Sequence, residues 1–591
     1  MFKKIYYAPL TLAPNSMTLS QFFVAAIFIL VIGTLIFTRF RPSLIFASAA
    51  GACFLTGVVP VELALQKGAN PGLVTLVVLL LVSVGLEKAR WLRTISDGLI
   101  NGSLKASLVR LTTATALSSA FLNNTAVVAA LASSVKAQRR HPAAKLLLPL
   151  SYAAILGGTL TLIGTSTNLI VNSFVVDRGV PGLDFFAFLP VGVAAALVGL
   201  LVLLLCNRLL PAGPVTDEPV TEYLLEAEVV GDAPLDGKTV EQNGLRRLET
   251  LYLVEIVRDG HVISPVAPTE VIKSGDKLIF SGDVRDLGRL QDIQGLRVFA
   301  LEDKALDIDL TEVVISPSSS ILGQTLKSCQ FRTRFDAAVV AMRRGGERLS
   351  GKLGEIELRA GDALLLAVGP DFKHHLNIDK NFYVISGREV RRELSRRDNW
   401  LLGLGFGAVV AGAALGWFSL LKGLVLLLAG MLCLGIVSTA ELQRRFPFQI
   451  WLIIACALVL AEAFAGSGLA DVLAGGLRDL LQGWGPLAGL VGIFLLTLAL
   501  TELMTNNAAA ALTFPLGWSL AESFGVSWMP FAMAVAYGAS ASFLTPFGYQ
   551  TNLMVQNLGG YHLRDFIRAG LPLTVAYSVT VLALLPLVFP F

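Results

Sequence analysis

The chain has 591 residues, of which 54% are hydrophobic and only 15% charged, and its mean hydropathy is +0.68. Soluble domains carry about 25% charged residues, so this composition argues against an ordinary soluble enzyme and predicts a polytopic α-helical membrane protein in contact with lipid. The net charge of +4 is too small to suggest a nucleic-acid partner, and the five cysteines are scattered without metal-ligand spacing.

The first apolar run, Gln21 to Phe37, reads as a spanning helix and not a cleaved leader, because Arg39 and Arg41 follow it and no small-residue cleavage site intervenes. A polar interruption comes next, in SSAFLNNTAVVAAL, with Ser119, Asn123, Asn124 and Thr125. A second, Gly164-Thr165-Ser166-Thr167-Asn168-Leu169, lies 39 residues after Thr125 (164 − 125). The first membrane region is expected over 1–211. A Pro-rich, acidic linker, PAGPVTDEPVTEY, then opens a soluble-like segment that closes at the charged run GREVRRELSRRDNW. The second membrane region, 399–591, carries LTELMTNNAAAAL, with Thr501, Thr505, Asn506 and Asn507, and then Gly548-Tyr549-Gln550-Thr551-Asn552-Leu553.

The polar motifs are in register. Thr501 lies 382 residues after Ser119 (501 − 119), and Gly548 lies 384 after Gly164 (548 − 164). Paired polar interruptions in two apolar halves are the signature of a secondary transporter built from structural repeats. Short loops rich in Lys and Arg stay cytoplasmic. Lys88, Arg90 and Arg93, then Lys136, Arg139, Arg140 and Lys145, then Arg444 and Arg445, and finally Arg564 and Arg568 mark that side. Threading the chain accordingly places the soluble segment in the cytoplasm and makes the two halves inverted copies. Each would carry a re-entrant hairpin and a broken helix, with the hairpin tips meeting near the bilayer midplane.

A helix that stops inside the membrane leaves backbone groups unpaired, and these cannot face lipid. Asn, Thr and Ser satisfy them, while N–H groups at half-helix N-termini attract an anion. Asn123, Asn124, Thr125, Thr505, Asn506, Asn507, Thr167 and Thr551 are the expected substrate-binding residues. No Lys or Arg occurs in 111–135, 151–174 or 487–561, so a dianion there needs bound cations as partners. Exposed carbonyls with the hydroxyls of Ser119 and Thr501 form a hard-oxygen shell suited to sodium. Glu502 is an intramembrane acid, which can be functional or can pin the hairpin by bonding backbone groups; Glu462 is expected to be structural.

The soluble segment contains its own repeat: Gly237, Thr239, Gly275 and Asp276 recur 86 residues later as Gly323, Thr325, Gly361 and Asp362. Each copy predicts short strands, a helical stretch after its first glycine, and a Gly-Asp turn before a buried strand, KLIFSG or ALLLAV. The pattern resembles the TrkA-C (RCK-C) regulatory fold, a small α/β module, with expected copies over 215–300 and 301–391. That resemblance implies dimerisation and, in some members, a nucleotide ligand.

At the paired tips, Asn123-Asn124-Thr125 and Thr505-Asn506-Asn507, the chain resembles the divalent anion/sodium symporter family. The resemblance implies two or more sodium ions, with Ser119, Asn123, Asn124 and Gly164 around one and Thr501, Thr505, Asn506 and Gly548 around another. The loops read Thr-Ser-Thr-Asn and Tyr-Gln-Thr-Asn where dicarboxylate members have Thr-Pro-Pro-Asn, and with two inserted modules they are similar to the sulfate-permease-like branch. The expectation is a homodimeric, multi-pass transporter of the cell (inner) membrane, coupling sodium to a small divalent anion. A dicarboxylate or citrate symporter and a channel-like or antiporting oxyanion exporter are the alternatives. No nucleophile–base pair or nucleotide-hydrolysis motif suggests an enzyme.

Overall fold

In the computed structural model the described residues run 18–88, 98–211, 224–299, 310–386 and 394–591, apart from shorter stretches within these ranges. Both linkers of the soluble segment, and Arg39, Arg90, Arg93 and Arg139, lie largely or wholly outside them. Six of the described helices are long and apolar enough to cross a membrane, as a hydrocarbon core about 30 Å thick demands. The protein is a multi-pass membrane protein.

The first half contains α1 (Leu19–Phe37), α2 (Pro42–Leu55), α3 (Val61–Gly68), α4 (Pro71–Leu86), α5 (Leu104–Ser119), α6 (Asn124–Ala137), α7 (Leu147–Gly158), α8 (Ser166–Asp177) and α9 (Leu189–Cys206). The second contains α10 (Arg396–Ala414), α11 (Leu420–Cys433), α12 (Thr439–Arg444), α13 (Phe448–Gly466), α14 (Leu469–Leu480), α15 (Gly485–Leu503), α16 (Asn506–Phe524), α17 (Met529–Ser540), α18 (Gln550–Gly559) and α19 (Leu563–Val588). Among the described residues the order of helices and breaks is alike in both halves, except that α14 has no counterpart in the first. Each half has a tight break, at 120–123 and 504–505, and a longer one, at 159–165 and 541–549. Gly157 lets α7 approach the α5 backbone, since a Cβ there would collide with the Ala116 carbonyl.

Lys67, at the end of α3, is buried and bridges two carboxylates, Asp177 of α8 at 2.7 Å and Glu462 of α13 at 3.0 Å. A buried ammonium requires such partners, which gives Glu462 a structural task.

Between the halves lie two five-stranded antiparallel sheets, ordered β3-β2-β4-β1-β5 and β10-β6-β9-β7-β8. The strands are β1 (Leu224–Val229), β2 (Leu251–Arg258), β3 (His261–Ile263), β4 (Lys277–Gly282), β5 (Leu296–Phe299), β6 (Leu310–Ile315), β7 (Ala337–Arg344), β8 (Glu347–Arg348), β9 (Ala363–Val368) and β10 (Phe382–Ser386). Read from the other edge, the second order is that of the first, and every strand starts 86 residues after its counterpart. The helical stretch expected after Gly237 is a run of turns; after Gly323 it is turns and one short helix, Phe331–Phe335. Val254 and Ile279 of one sheet pack with Val340 and Ala367 of the other.

The Gly-Asp turns are built alike. Gly275 and Gly361 have φ of 86° and 87°, a backbone region open to glycine. The buried carboxylates that follow take paired hydrogen bonds from an arginine: Arg258 to Asp276 at 2.8 and 2.8 Å, Arg344 to Asp362 at 2.7 and 2.7 Å. These bonds raise both guanidinium pKa values, so the arginines stay charged. Asp362→Ala should cost about 2–3 kcal/mol, the scale of hydrogen bonds to a charged group. Amide exchange in β7 and β9 should accelerate about 30- to 160-fold, while β2 and β4 keep their protection.

Candidate functional site

The two tight breaks put polar residues at helix N-termini. Asn123 caps α6, its Oδ1 accepting from the Thr125 N–H at 3.0 Å, and Thr505 caps α16, its Oγ1 accepting from the Ala508 N–H at 3.4 Å. Asn, Ser and Thr are favoured there because the side-chain oxygen replaces a missing backbone acceptor. At the longer breaks, α8 and α18 begin after Thr165 and Tyr549, neither of which makes a side-chain cap bond. Their first-turn N–H groups stay open to another acceptor.

The longer breaks are clasped identically. Asn168 Nδ2 donates to the carbonyls of Gly158 (3.2 Å) and Thr161 (2.8 Å), and Asn552 Nδ2 to those of Ser542 (2.9 Å) and Thr545 (3.3 Å). Thr161 Oγ1 bonds the Ala120 carbonyl, and Thr545 Oγ1 bonds that of Glu502 at 3.0 Å. The Glu502 carboxylate accepts from the N–H groups of Phe543, Leu544 and Thr545 at 2.8, 2.8 and 2.9 Å, and from Thr545 Oγ1 at 2.8 Å. Of the two roles open to Glu502 in the sequence, this geometry is that of a pin on the loop backbone.

Each tip bonds the broken helix of the opposite half. Asn124 Nδ2 donates to the Tyr549 hydroxyl at 2.6 Å and Thr125 Oγ1 to Gln550 Oε1 at 3.3 Å. Reciprocally, Asn506 Nδ2 donates to Thr167 Oγ1 at 2.8 Å and Ser166 Oγ to Asn507 Oδ1 at 2.9 Å. The first residues of four helices, Asn124, Ser166, Asn506 and Gln550, therefore line one cavity of about 670 Å³, counting its open mouth. Asn123, Thr125, Gly164, Thr165, Asn507 and Tyr549 complete its polar wall, and α4 with Ile450 of α13 forms an apolar wall. Among the described residues no charged side chain lines it.

Of the expected substrate residues, Asn123, Asn124, Thr125, Asn506 and Asn507 line this cavity and Thr505, Thr167 and Thr551 do not. Thr505 serves as a cap, Thr167 supports Asn506, and buried Thr551 accepts from Ser151 Oγ at 2.8 Å. Ser119 and Thr501 are fully buried behind the tips. Ser119 Oγ contacts Asn124 Oδ1 and lies 2.9 Å from the Ala154 carbonyl, while Thr501 Oγ1 donates to the Ala539 carbonyl at 2.7 Å. Gly164 and Gly548 are places where no side chain fits: a Cβ would press on Gly158 O in one half and on Ser542 Oγ and Thr501 O in the other. Tyr549, Gln550, Thr165 and Ser166 are cavity residues that the sequence reading quoted in its motifs without selecting. Their register, 384 residues apart in both pairs, was the available signal.

A citrate transporter family model matches residues 26–538 of the chain. A Chlamydomonas reinhardtii protein provisionally described as a sulfur deprivation response regulator is 34% identical over 90% of this chain and 96% of its own length. An uncharacterized transporter of Synechocystis is 31% identical, covering 88% and 89% of the two chains. Sodium/sulfate cotransporter 1 of Chlamydomonas reinhardtii is 30% identical over 61% of this chain and 43% of that longer protein.

Removing a tip amide deletes a bond between the halves and a group on the cavity wall together. Asn124→Ala and Asn506→Ala should each lower transport at least about a hundredfold without loss of membrane insertion. Uptake into proteoliposomes reconstituted at matched protein density measures this, and full transport by both variants would sink the assignment.

Proposed function

We propose that this chain, which belongs to the citrate transporter family, is a sodium-coupled symporter of a small divalent anion, with a sulfate-like oxyanion as its substrate. The carrying observation is the convergence of four helix N-termini on one cavity that has no charged side chain in its wall. Each N-terminus presents about half a positive charge, and those of α8 and α18 lack a side-chain cap. An anion is the ligand such a site favours. The relatives named as sodium/sulfate cotransporters point to the same substrate and coupling ion.

The N-termini of α6 and α16 are already capped by Asn123 and Thr505, so the helix dipoles leave a dianion incompletely balanced, and sodium at two further positions supplies the rest. One site is bounded by Ser119, Asn123, Asn124 and Gly164, the other by Thr501, Thr505, Asn506 and Gly548. Supporting the second is Ser542 Oγ, which is buried, faces the same space beside Gly548 as the Thr501 carbonyl, and has no hydrogen-bond partner among the described residues. An orphaned buried hydroxyl is costly, and a bound cation would satisfy it. In this reading the halves are inverted repeats with re-entrant hairpins, and the protein is a homodimer in the cell (inner) membrane.

The two sheet modules are proposed as cytoplasmic TrkA-C-type regulators. Their attachment favours that role over a passive insert. Lys136 of α6 pairs with Glu312 of β6 at 2.9 and 3.0 Å, and Asn557 of α18 donates to the Gly361 carbonyl. The second module thus holds the far ends of two helices whose first residues line the cavity.

Replacing external sodium by choline at fixed pH should abolish sulfate uptake by proteoliposomes, with succinate, citrate and arsenite as competing substrates. Uptake indifferent to that exchange would require proton coupling or uniport instead. For the modules, Lys136→Glu should change the sulfate uptake rate about fivefold or more, and Lys136→Glu with Glu312→Lys should restore it. Equal rates in all three proteins would leave the docking contact without a regulatory role.

A further inference from the structure

The cavity is built from corresponding positions that hold unequal residues. Thr165 and Ser166 begin α8, and Tyr549 and Gln550 stand at the same places before and in α18, 384 residues later. The first pair is small, whereas the second reaches across to the opposite tip and contacts Asn124 and Thr125. We propose that Tyr549 and Gln550 are the substrate-size filter of this cavity, restricting it to one compact tetrahedral dianion and excluding linear dicarboxylates. This inference rests on the transport reading above.

The filter works by occupancy and by volume. The Tyr549 hydroxyl takes the Asn124 amide proton at 2.6 Å and lies 3.1 Å from Thr165 Oγ1, so the phenol is fixed between the first tip and the start of α8. Gln550 Oε1 takes the Thr125 hydroxyl proton. One Asn124 N–H and the Thr125 hydroxyl proton are thereby used within the protein, and Thr165 is engaged beside them. A second carboxylate, several ångströms from the first in a C4 diacid, would need donors of this kind and the space that the phenol ring fills. Burying a carboxylate without them is costly. In the other half Asn507 engages Ser166 through its oxygen, which leaves its NH₂ group for a ligand. A single oxyanion can therefore be held at the second tip and the open N–H groups of α8, with Tyr549 and Gln550 closing the far side.

A simple glue between helices would also use a tyrosine hydroxyl, so the test must separate volume from bonding. The variants are Tyr549→Thr with Gln550→Ser, which makes both ends alike; Gln550→Ser alone, at an exposed position; and Tyr549→Phe. Each is reconstituted beside the wild type, uptake of labelled sulfate and succinate is measured, and sulfate-dependent thermal stabilisation reports folding. The double variant should lower the sulfate-to-succinate ratio about tenfold or more. Gln550→Ser should move it the same way by a smaller factor, and Tyr549→Phe, which keeps the ring, should still exclude succinate. An unchanged ratio in the double variant, or in Gln550→Ser if the double variant shows no sulfate stabilisation, overturns the filter. Succinate entry through Tyr549→Phe equal to that of the double variant overturns the volume argument. A wild type that carries succinate and not sulfate instead defeats the substrate assignment on which the inference rests.

Discussion

Backbone groups exposed by broken helices, in surroundings that offer no water, govern this structure. Four breaks occur where the polypeptide must satisfy itself, because an unpaired N–H or C=O in an apolar medium costs several kcal/mol. The longer breaks receive the same two devices, an asparagine amide spanning two carbonyls and a threonine hydroxyl reaching back to the preceding tip. They differ in how loop donors are met. In the first half the Leu162 N–H finds the Phe185 carbonyl at 3.0 Å, whereas in the second three consecutive N–H groups converge on Glu502. The position of Glu502 is filled in the first half by Ala120, so the carboxylate answers a local need of one loop.

Satisfying the breaks leaves the site assembled from both halves at once. Asn124 rests on Tyr549, Asn506 on Thr167, and Asn507 on Ser166, so each tip has amide contacts that only the other half supplies. This makes the cavity a product of the relative placement of two sets of helices. A small displacement between them would break several polar contacts together. The attraction for an anion also comes from oriented peptide dipoles, which keep their place whether the cavity is filled or empty.

Much of this was legible in the sequence, because the constraint acts locally. A hydroxyl or amide before a helix start is a capping signal, and its recurrence at a near-constant offset located both tight breaks and both longer ones. The 86-residue recurrence in the soluble segment likewise announced two like modules, and each strand of the second sheet starts 86 residues after one in the first. What sequence spacing does not carry is which polar group faces the cavity and which faces the protein. Thr505 caps α16, and Thr167 and Thr551 bond side-chain partners away from the cavity wall, placements that the motif spacing does not specify. Tyr549 and Gln550 interrupt a motif whose first copy is small, and their reach to the other tip depends on tertiary placement. The helical stretches expected in the sheet modules are shortened, to described turns in the first and to turns with the helix Phe331–Phe335 in the second, for a related reason. Short turns closed by Thr239 and Thr325, each bonding the residue three positions on, satisfy the backbone without a continuous helix.

The duplicated Gly-Asp turn shows how one inserted unit acquired two uses. In the second module Gly361 lies against Leu553 and accepts the Asn557 amide, and the absence of a Cβ is what permits that approach. In the first module the equivalent Gly275 has open space around it. The same backbone conformation, held by the same arginine–aspartate pair, is therefore a docking knob in one copy and a free turn in the other. Because α6 and α18 are continuous helices, a shift at their docked ends cannot be absorbed by local bending without breaking intrahelical bonds, and it reaches Asn124 and Gln550 at the cavity. A ligand of the modules changes transport only if it favours one placement of those ends over another. The first module is joined to the second through Val254, Ile279, Val340 and Ala367, and Arg332 of the second donates to the Val266 carbonyl of the first at 3.1 Å, so among the described residues its link to the docked turn runs through the second module.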